Sequence, residues 1–174
     1  MSNKYVIFDR DGTLIRHVHH LHKLDQVEIF DEVSQVLEVL TRNGFRFGMV
    51  TNQSVIGRNI ATQKQVENIN NHIIEKITSM ANGFDFVYMC PHLPETNCNC
   101  RKPSVELGKI AINQFNIDIN ASYYIGDQSS DFEFGRNLGL NVILIRNREI
   151  PQTLNCLWFE DLRTAVNWIL GDLI

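Results

Sequence analysis

The segment "KYVIFDRDGTL" (residues 4–14) decides how this chain is read. Tyr5, Val6, Ile7 and Phe8 are aromatic or β-branched, the pattern of a short buried strand. Asp9 and Asp11 then stand two apart at the strand's end, and Gly12 turns the chain. Two carboxylates this close repel, so keeping both ionised favours a cation beside them. All-oxygen ligands favour Mg²⁺. A carboxylate at such a site can also attack phosphorus, and a second acid can protonate the leaving oxygen and later activate water. The plainer alternative is an Asx-turn leaving a strand.

Outward from this segment, apolar runs alternate with amphipathic stretches. In 31–43, Val33, Val36, Leu37 and Leu40 recur at helical spacing, and Asn43-Gly44 is a C-cap signal. "FRFGMVT" (45–51) reads as a strand. Thr62 and Gln65 form a capping box for a helix running to about Met80. "FDFVYMC" (84–90) is a third strand. Residues 104–116 place Leu107, Ile110, Ala111 and Phe115 on one helical face. Strands at 121–127 and 141–146 flank a helix near 129–138, and 161–170 is a closing helix. This β–α alternation predicts an α/β fold with a doubly wound parallel sheet. Ligands of such sheets bind beyond the carboxyl ends of the strands, where Asp9, Thr51, Cys90 and Asp127 fall.

The 174 residues suit one domain, 1–174, with no linker or repeat. A net charge of −4, without an Arg/Lys stripe, argues against nucleic acid or an anionic membrane as partner. No apolar run approaches the roughly twenty residues of a membrane span, and the N-terminus lacks a signal-peptide pattern. A cytoplasmic setting is expected, where cysteines serve as metal ligands or buried thiols rather than lasting disulfides.

Three further strand ends and loops carry polar groups. In "VTNQS" (50–54), Thr51, Asn52, Gln53 and Ser54 could bond phosphoryl oxygens. Arg101 and Lys102 of "RKP" offer a fork and a point charge suited to phosphate. "IGDQSSD" (125–131) adds Asp127, a candidate Mg²⁺ ligand, and Asp131, which could orient a ligand or favour a helix N-terminus. Taken together and in this order, these motifs resemble the haloacid dehalogenase superfamily of phosphotransferases, over residues 5 to about 145. The resemblance implies a Rossmann-like fold and Mg²⁺-dependent hydrolysis of a phosphate monoester. It implies Asp9 as nucleophile, Asp11 as general acid/base, and Thr51 and Lys102 as phosphoryl stabilisers. Asp9, the carbonyl of Asp11 and Asp127 would hold Mg²⁺. No sequence block is long enough for a large cap domain, so an open site is expected.

"CPHLPETNCNCRKP" (90–103) groups Cys90, His92, Cys98 and Cys100, four ligands of the kind and spacing of a closed tetrahedral Zn²⁺ site. All four positions filled by protein make such a zinc structural, holding Arg101 and Lys102 in place. Cys98-x-Cys100 is not the redox spacing, and Cys156 reads as an ordinary small apolar residue. Within the superfamily this cluster is similar to two branches: the heptose bisphosphate phosphatases, matched by "TNQSVIGR" (51–58), and the histidinol-phosphate phosphatases, matched by the short span from His92 to Cys98. "RHVHHLH" (16–22) departs from the heptose branch, placing His17, His19 and His20 where that branch has an acidic residue and a Gly-Tyr pair. These histidines are expected to contact substrate; a second metal site is the lesser reading. The resemblance also implies a monomer. The expected function is thus a sugar bisphosphate phosphatase, most closely of the heptose 1,7-bisphosphate kind, with histidinol-phosphate hydrolysis as the alternative. A non-enzymatic zinc module and a phospho-accepting signalling domain are further alternatives, and each leaves one of the two clusters unexplained.

Overall fold

Among the described residues, six strands lie in one parallel sheet, ordered β3-β2-β1-β4-β5-β6. The structure is a computed structural model describing residues 3–79, 81–146 and 156–171. The strands are β1 (Tyr5–Phe8), β2 (Arg46–Asn52), β3 (Phe84–Cys90), β4 (Tyr123–Gly126), β5 (Asn141–Ile145) and β6 (Leu157–Phe159). The helices are α1 (Val33–Arg42), α2 (Gln63–Ile77), α3 (Glu106–Phe115), α4 (Ser129–Asn137) and α5 (Leu162–Leu170). The α/β, doubly wound expectation is met. Among the described residues, no helix is long and apolar enough to cross a membrane.

Strand pleating divides the core. Val6 and Phe8 of β1 point into a layer with α1, α2 and α5, built on Leu37, Leu40, Ile69, Ile73 and Val166. Tyr5 and Ile7 point the other way, toward Ala111 of α3 and Phe134 of α4. Truncating a fully buried residue such as Leu40 to alanine would cost about 2–5 kcal/mol. β1 is buried on both faces, which explains its unbroken apolar run.

Local signals end the helices as expected. The N–H of Gln65 donates to Thr62 Oγ1 at 3.2 Å, and the N–H of Thr62 donates to Gln65 Oε1 at 2.8 Å. Gly44 takes φ +77°, and its N–H and that of Phe45 close onto the carbonyls of Thr41 and Leu40, a Schellman motif. α2 ends at Ile77 with Thr78 as its C-cap, short of the expected Met80, which itself lies outside the described residues.

Two details differ from expectation. Ile110 is 41% exposed, because the buried face of α3 runs through Gly108 and Ala111 instead. β6 had no counterpart in the sequence reading: it has only three residues, Leu157 to Phe159, at the sheet's edge, an apolar run shorter than the roughly four to eight residues that signal a strand.

Chain direction reverses around β1. From β1 the chain steps outward through β2 to β3, then returns through α3 to β4 on β1's other side. Such a divergence leaves a crevice at the strands' carboxyl ends. Asp9, Thr51 and Asp127 sit there.

Candidate active site and metal centres

Lys102 is the centre of the crevice. Its Nζ donates at 2.6 Å to Asp9 Oδ1, at 2.6 Å to Asp131 Oδ1 and at 2.8 Å to the Tyr124 hydroxyl. Tyr124 in turn donates to the Val50 carbonyl at 3.0 Å. All four side chains are buried. Asn52 fixes the lysine's backbone: its Oδ1 accepts from the Lys102 N–H at 3.0 Å, and its Nδ2 donates to the Lys102 carbonyl at 3.2 Å. Asn52 was expected on substrate; its polar atoms are engaged here instead.

Of the two readings left open for Asp131, the helix N-terminus is the one seen, and the side chain also reaches Lys102. Its Oδ2 accepts from the N–H groups of Asp127 and Gln128, capping the start of α4, while Oδ1 accepts from Lys102. Asp9, Asp127 and Asp131 each bring one carboxylate oxygen within 4.8 Å of the others. Burial pushes the Asp9 carboxyl above its ordinary range; Lys102 opposes this and Asp131 and Asp11 add to it. Burial, then Asp131, pushes Asp127 up to about 6. Burial alone would lower the Lys102 ammonium, but Asp131 and Asp9 outweigh it and raise it. Three buried carboxylates around one ammonium carry excess negative charge, and a hard divalent cation fits that imbalance. Gly12, at φ +79°, lies so close that a Cβ there would stand 2.2 Å from Asp127 Oδ2, so only glycine fits the turn.

Asp11 faces a different network. Arg10 is 1% exposed, and its Nε and Nη2 donate to the Asp11 carboxylate, each at 3.1 Å. Arg10 also donates to Asn70 Oδ1 at 2.9 Å and Gln53 Oε1 at 2.8 Å. Gln53 Nε2 donates to Asp11 Oδ2 at 2.8 Å and Thr51 Oγ1 at 2.9 Å. Sequence reasoning missed Arg10 and Asn70. Arginine inside the aspartate motif looks like a surface residue, and Asn70 lies a full helix away from any motif.

Above this floor opens a cavity of about 470 Å³. Asp9, Asp11, Thr51, Lys102 and Asp127 line it, as do Asn52, Gln53 and Ser54. His17, His19, His20 and Arg101 line it from the loops. Residues more than a hundred positions apart, such as Asp9 and Asp127, are thereby gathered in one place. Arg58, Gln128 and Ser130 also line it and were not singled out in the sequence. Arg58 was legible only as the last residue of "TNQSVIGR".

The cysteine cluster closes beside the crevice. Cys90, at the end of β3, is buried in the core and still joins the cluster. Its Sγ lies 3.8 Å from Cys98 Sγ and 3.5 Å from His92 Nδ1; Cys98 and Cys100 Sγ are 3.8 Å apart. Metal–sulfur bonds of about 2.3 Å in a tetrahedron give edges near these lengths, while Cys100 Sγ sits closer, 3.2 Å from Cys90 Sγ and 3.1 Å from His92 Nδ1. The spacing is far beyond the roughly 2.05 Å of a disulfide, and the four cysteines are free thiols. Arg101 Nη1 donates to the His92 carbonyl at 3.2 Å, tying the cavity wall to this loop. Among the described residues, the groups placed to share a metal are this cluster and the Asp9–Asp127–Asp131 trio; His17 to His22 do not form a third.

Comparison with known proteins agrees with this layout. The family profile of haloacid dehalogenase-like hydrolases matches residues 9–145. A Thermoplasma acidophilum protein named probable D-glycero-D-manno-heptose-1,7-bisphosphate 7-phosphatase is 36% identical over 138 residues, covering 79% of this chain and 86% of that protein. The D-glycero-D-manno-heptose-1,7-bisphosphate 7-phosphatase of Chlorobaculum tepidum is 31% identical over 166 residues, covering 88% and 83%. The histidine biosynthesis bifunctional protein HisB of Actinobacillus pleuropneumoniae serotype 3 is 32% identical over 168 residues, but these span only 46% of its length. The crystal structure of D,D-heptose 1,7-bisphosphate phosphatase from B. bronchiseptica, complexed with magnesium and phosphate, shares the fold at a TM-score of 0.87 and 22% identity, covering 98% of this chain and 99% of that one. The strand-end aspartates, the buried lysine and a profile match over most of the chain lead to one assignment: this chain belongs to the haloacid dehalogenase-like hydrolase family.

Proposed function

We propose that this chain is a Mg²⁺-dependent phosphatase that hydrolyses a phosphate monoester of a small sugar, D-glycero-D-manno-heptose 1,7-bisphosphate, through an aspartyl-phosphate. The observation that carries the reading is the Lys102 ammonium bonded to both Asp9 and Asp131 at the floor of a polar cavity. Relatives named as heptose bisphosphate phosphatases, matched over most of their own length, support the substrate.

In this reading Asp9 attacks phosphorus, forming an O–P bond as the sugar oxygen leaves. Asp11 delivers a proton to that oxygen, then takes one from the water that cleaves the aspartyl-phosphate and releases inorganic phosphate. Lys102 and Thr51 neutralise and hold the phosphoryl oxygens, since this reaction depends mainly on positioning and charge. Ser54 and Arg101 bind substrate from the cavity wall; Gln53 holds Asp11 and Thr51 in place. Asp9, Asp127 and the main-chain carbonyl of Asp11 would hold Mg²⁺, the Asp11 side chain being committed to Arg10 and Gln53. When bound, the ion supplies positive charge that lets these carboxylates and the phosphate lie together. Cys90, His92, Cys98 and Cys100 would hold a structural Zn²⁺ in a reducing, cytoplasmic setting, steadying Arg101 and Lys102.

The test is phosphate release with Mg²⁺ from the heptose bisphosphate and from histidinol phosphate, side by side. Preference for the bisphosphate, abolished in Asp9→Asn, is expected. Substantial Mg²⁺-dependent hydrolysis by Asp9→Asn would remove Asp9 as nucleophile.

A further inference from the structure

An ammonium has three N–H donors, and Lys102 gives each to a different residue. Asp9 Oδ1 and Asp131 Oδ1 each accept at 2.6 Å, and the Tyr124 hydroxyl accepts at 2.8 Å. The two carboxylates are charged partners. The tyrosine is a neutral one, and the proposed chemistry gives it no part.

Tyr124 reaches the lysine from the core. It is 0% exposed and is not among the described residues that line the cavity, so it meets no substrate. Its ring stands edge-on to Phe134 of α4, with centroids 4.9 Å apart. Gly135 backs it so closely that a Cβ there would stand 3.0 Å from Tyr124 Cβ. A ring held in this way fixes where its hydroxyl lies. Packing alone asks for the ring and not for the hydroxyl. A phenol accepts and donates at once. Its one proton goes to the Val50 carbonyl at 3.0 Å, a better length than the 3.3 Å to Asp131 Oδ1. Val50 precedes Thr51 in β2. The tyrosine therefore ties the Lys102 ammonium to the strand that presents Thr51.

We propose that Tyr124 is a positioning residue for Lys102: with Asp131 it fixes two of the three N–H directions, so that the third faces Asp9 and the phosphoryl group. The inference rests on the phosphatase reading and deepens it. As Asp9 takes the phosphoryl group it loses its negative charge and accepts more weakly, and the N–H it held passes to a phosphoryl oxygen. Tyr124 and Asp131 keep their bonds throughout, so the ammonium does not have to turn as charge moves. Without the hydroxyl, one buried N–H would lack its acceptor and the ammonium would shift to find another.

Tyr124→Phe keeps the ring and removes only the hydroxyl. With p-nitrophenyl phosphate and saturating Mg²⁺, kcat should fall about tenfold while KM stays within about twofold, since the third N–H is handed over only as the O–P bond forms. Lys102→Ala completes a double-mutant cycle: in that background Tyr124→Phe should change kcat by less than about twofold. Rates are referred to the folded fraction, read by near-ultraviolet circular dichroism. Tyr124→Leu, which also lacks the hydroxyl, takes its place if Tyr124→Phe does not fold. An unchanged kcat, a loss confined to KM, or a loss in kcat that persists in full in Lys102→Ala would overturn the inference; a tyrosine that only supports the core would give the last of these. The unsubstituted chain tests the phosphatase reading separately. Mg²⁺-dependent turnover there, matched by Tyr124→Phe, removes the tyrosine's role alone, whereas no turnover removes both.

Discussion

Lys102 reaches back across 93 residues to donate a 2.6 Å hydrogen bond to Asp9, and the same nitrogen donates to Asp131. One buried ammonium therefore neutralises a carboxylate at the end of β1 and another in the first turn of α4.

Lys102→Ala should leave two buried carboxylates without their cation. Breaking a buried pair in this way costs about 3–5 kcal/mol. Denaturant unfolding in a chelating buffer should show that loss, and phosphate release should fall by about 10²–10³-fold. Lys102→Arg should not restore activity, because a planar fork cannot occupy the position of a compact ammonium. Wild-type stability in Lys102→Ala would contradict this account of the crevice.

Cys98→Ser should cost the protein a bound metal, read by elemental analysis as a fall from about one zinc per chain. Arg101 and Lys102 follow Cys100 directly, so the same variant should lower kcat by displacing them. Full zinc content and full activity in Cys98→Ser would remove the cluster from this role.

Arg10 and Asn70 offer a separate test away from the phosphoryl site. Asn70→Ala removes one acceptor of the buried guanidinium and should destabilise by about 1–3 kcal/mol. Arg10→Ala leaves Asp11 without its ion-pair partner and should cost about 3–5 kcal/mol. Both should lower kcat more than they raise KM, since they hold Asp11 rather than substrate. An effect confined to KM would argue against that role.

Asp85 gives a pH-dependent term outside the crevice. Burial pushes its carboxyl up, but the paired hydrogen bonds from Arg46 at 2.7 and 2.8 Å and the Tyr5 hydroxyl outweigh it, so the carboxyl lies below its ordinary range. A depressed folded-state value means the stabilisation is complete above the unfolded value, about 3.9, and fades as pH falls through the folded one. Asp85→Asn should therefore lose about 1 kcal/mol at pH 7, with the gap to wild type closing below about pH 4. Thermal melts at both pH values would measure it; a gap that widens in acid would reverse the sign.

Strand and helix order was legible in the sequence because those elements answer to local patterns. β1, β2 and β3 are apolar runs, α1 is an apolar stripe ended by Gly44, and α2 opens on its own capping box. β6 escaped because three residues are too few for a strand pattern, and its place in the sheet comes from pairing with β5. The aspartate motifs, the lysine and the cysteine cluster were equally visible, since their chemistry requires particular residue types at short spacings.

By itself, then, the sequence determined the α/β alternation, the acids and lysine of the candidate site and the four candidate zinc ligands. Tertiary structure alone decided their partners. Arg10 meets Asn70 across 60 residues, Asn52 clasps the Lys102 backbone across 50, and Arg58 lines the same cavity as the histidine loop. Such pairings depend on which strand ends the parallel sheet brings side by side, and no local propensity encodes that.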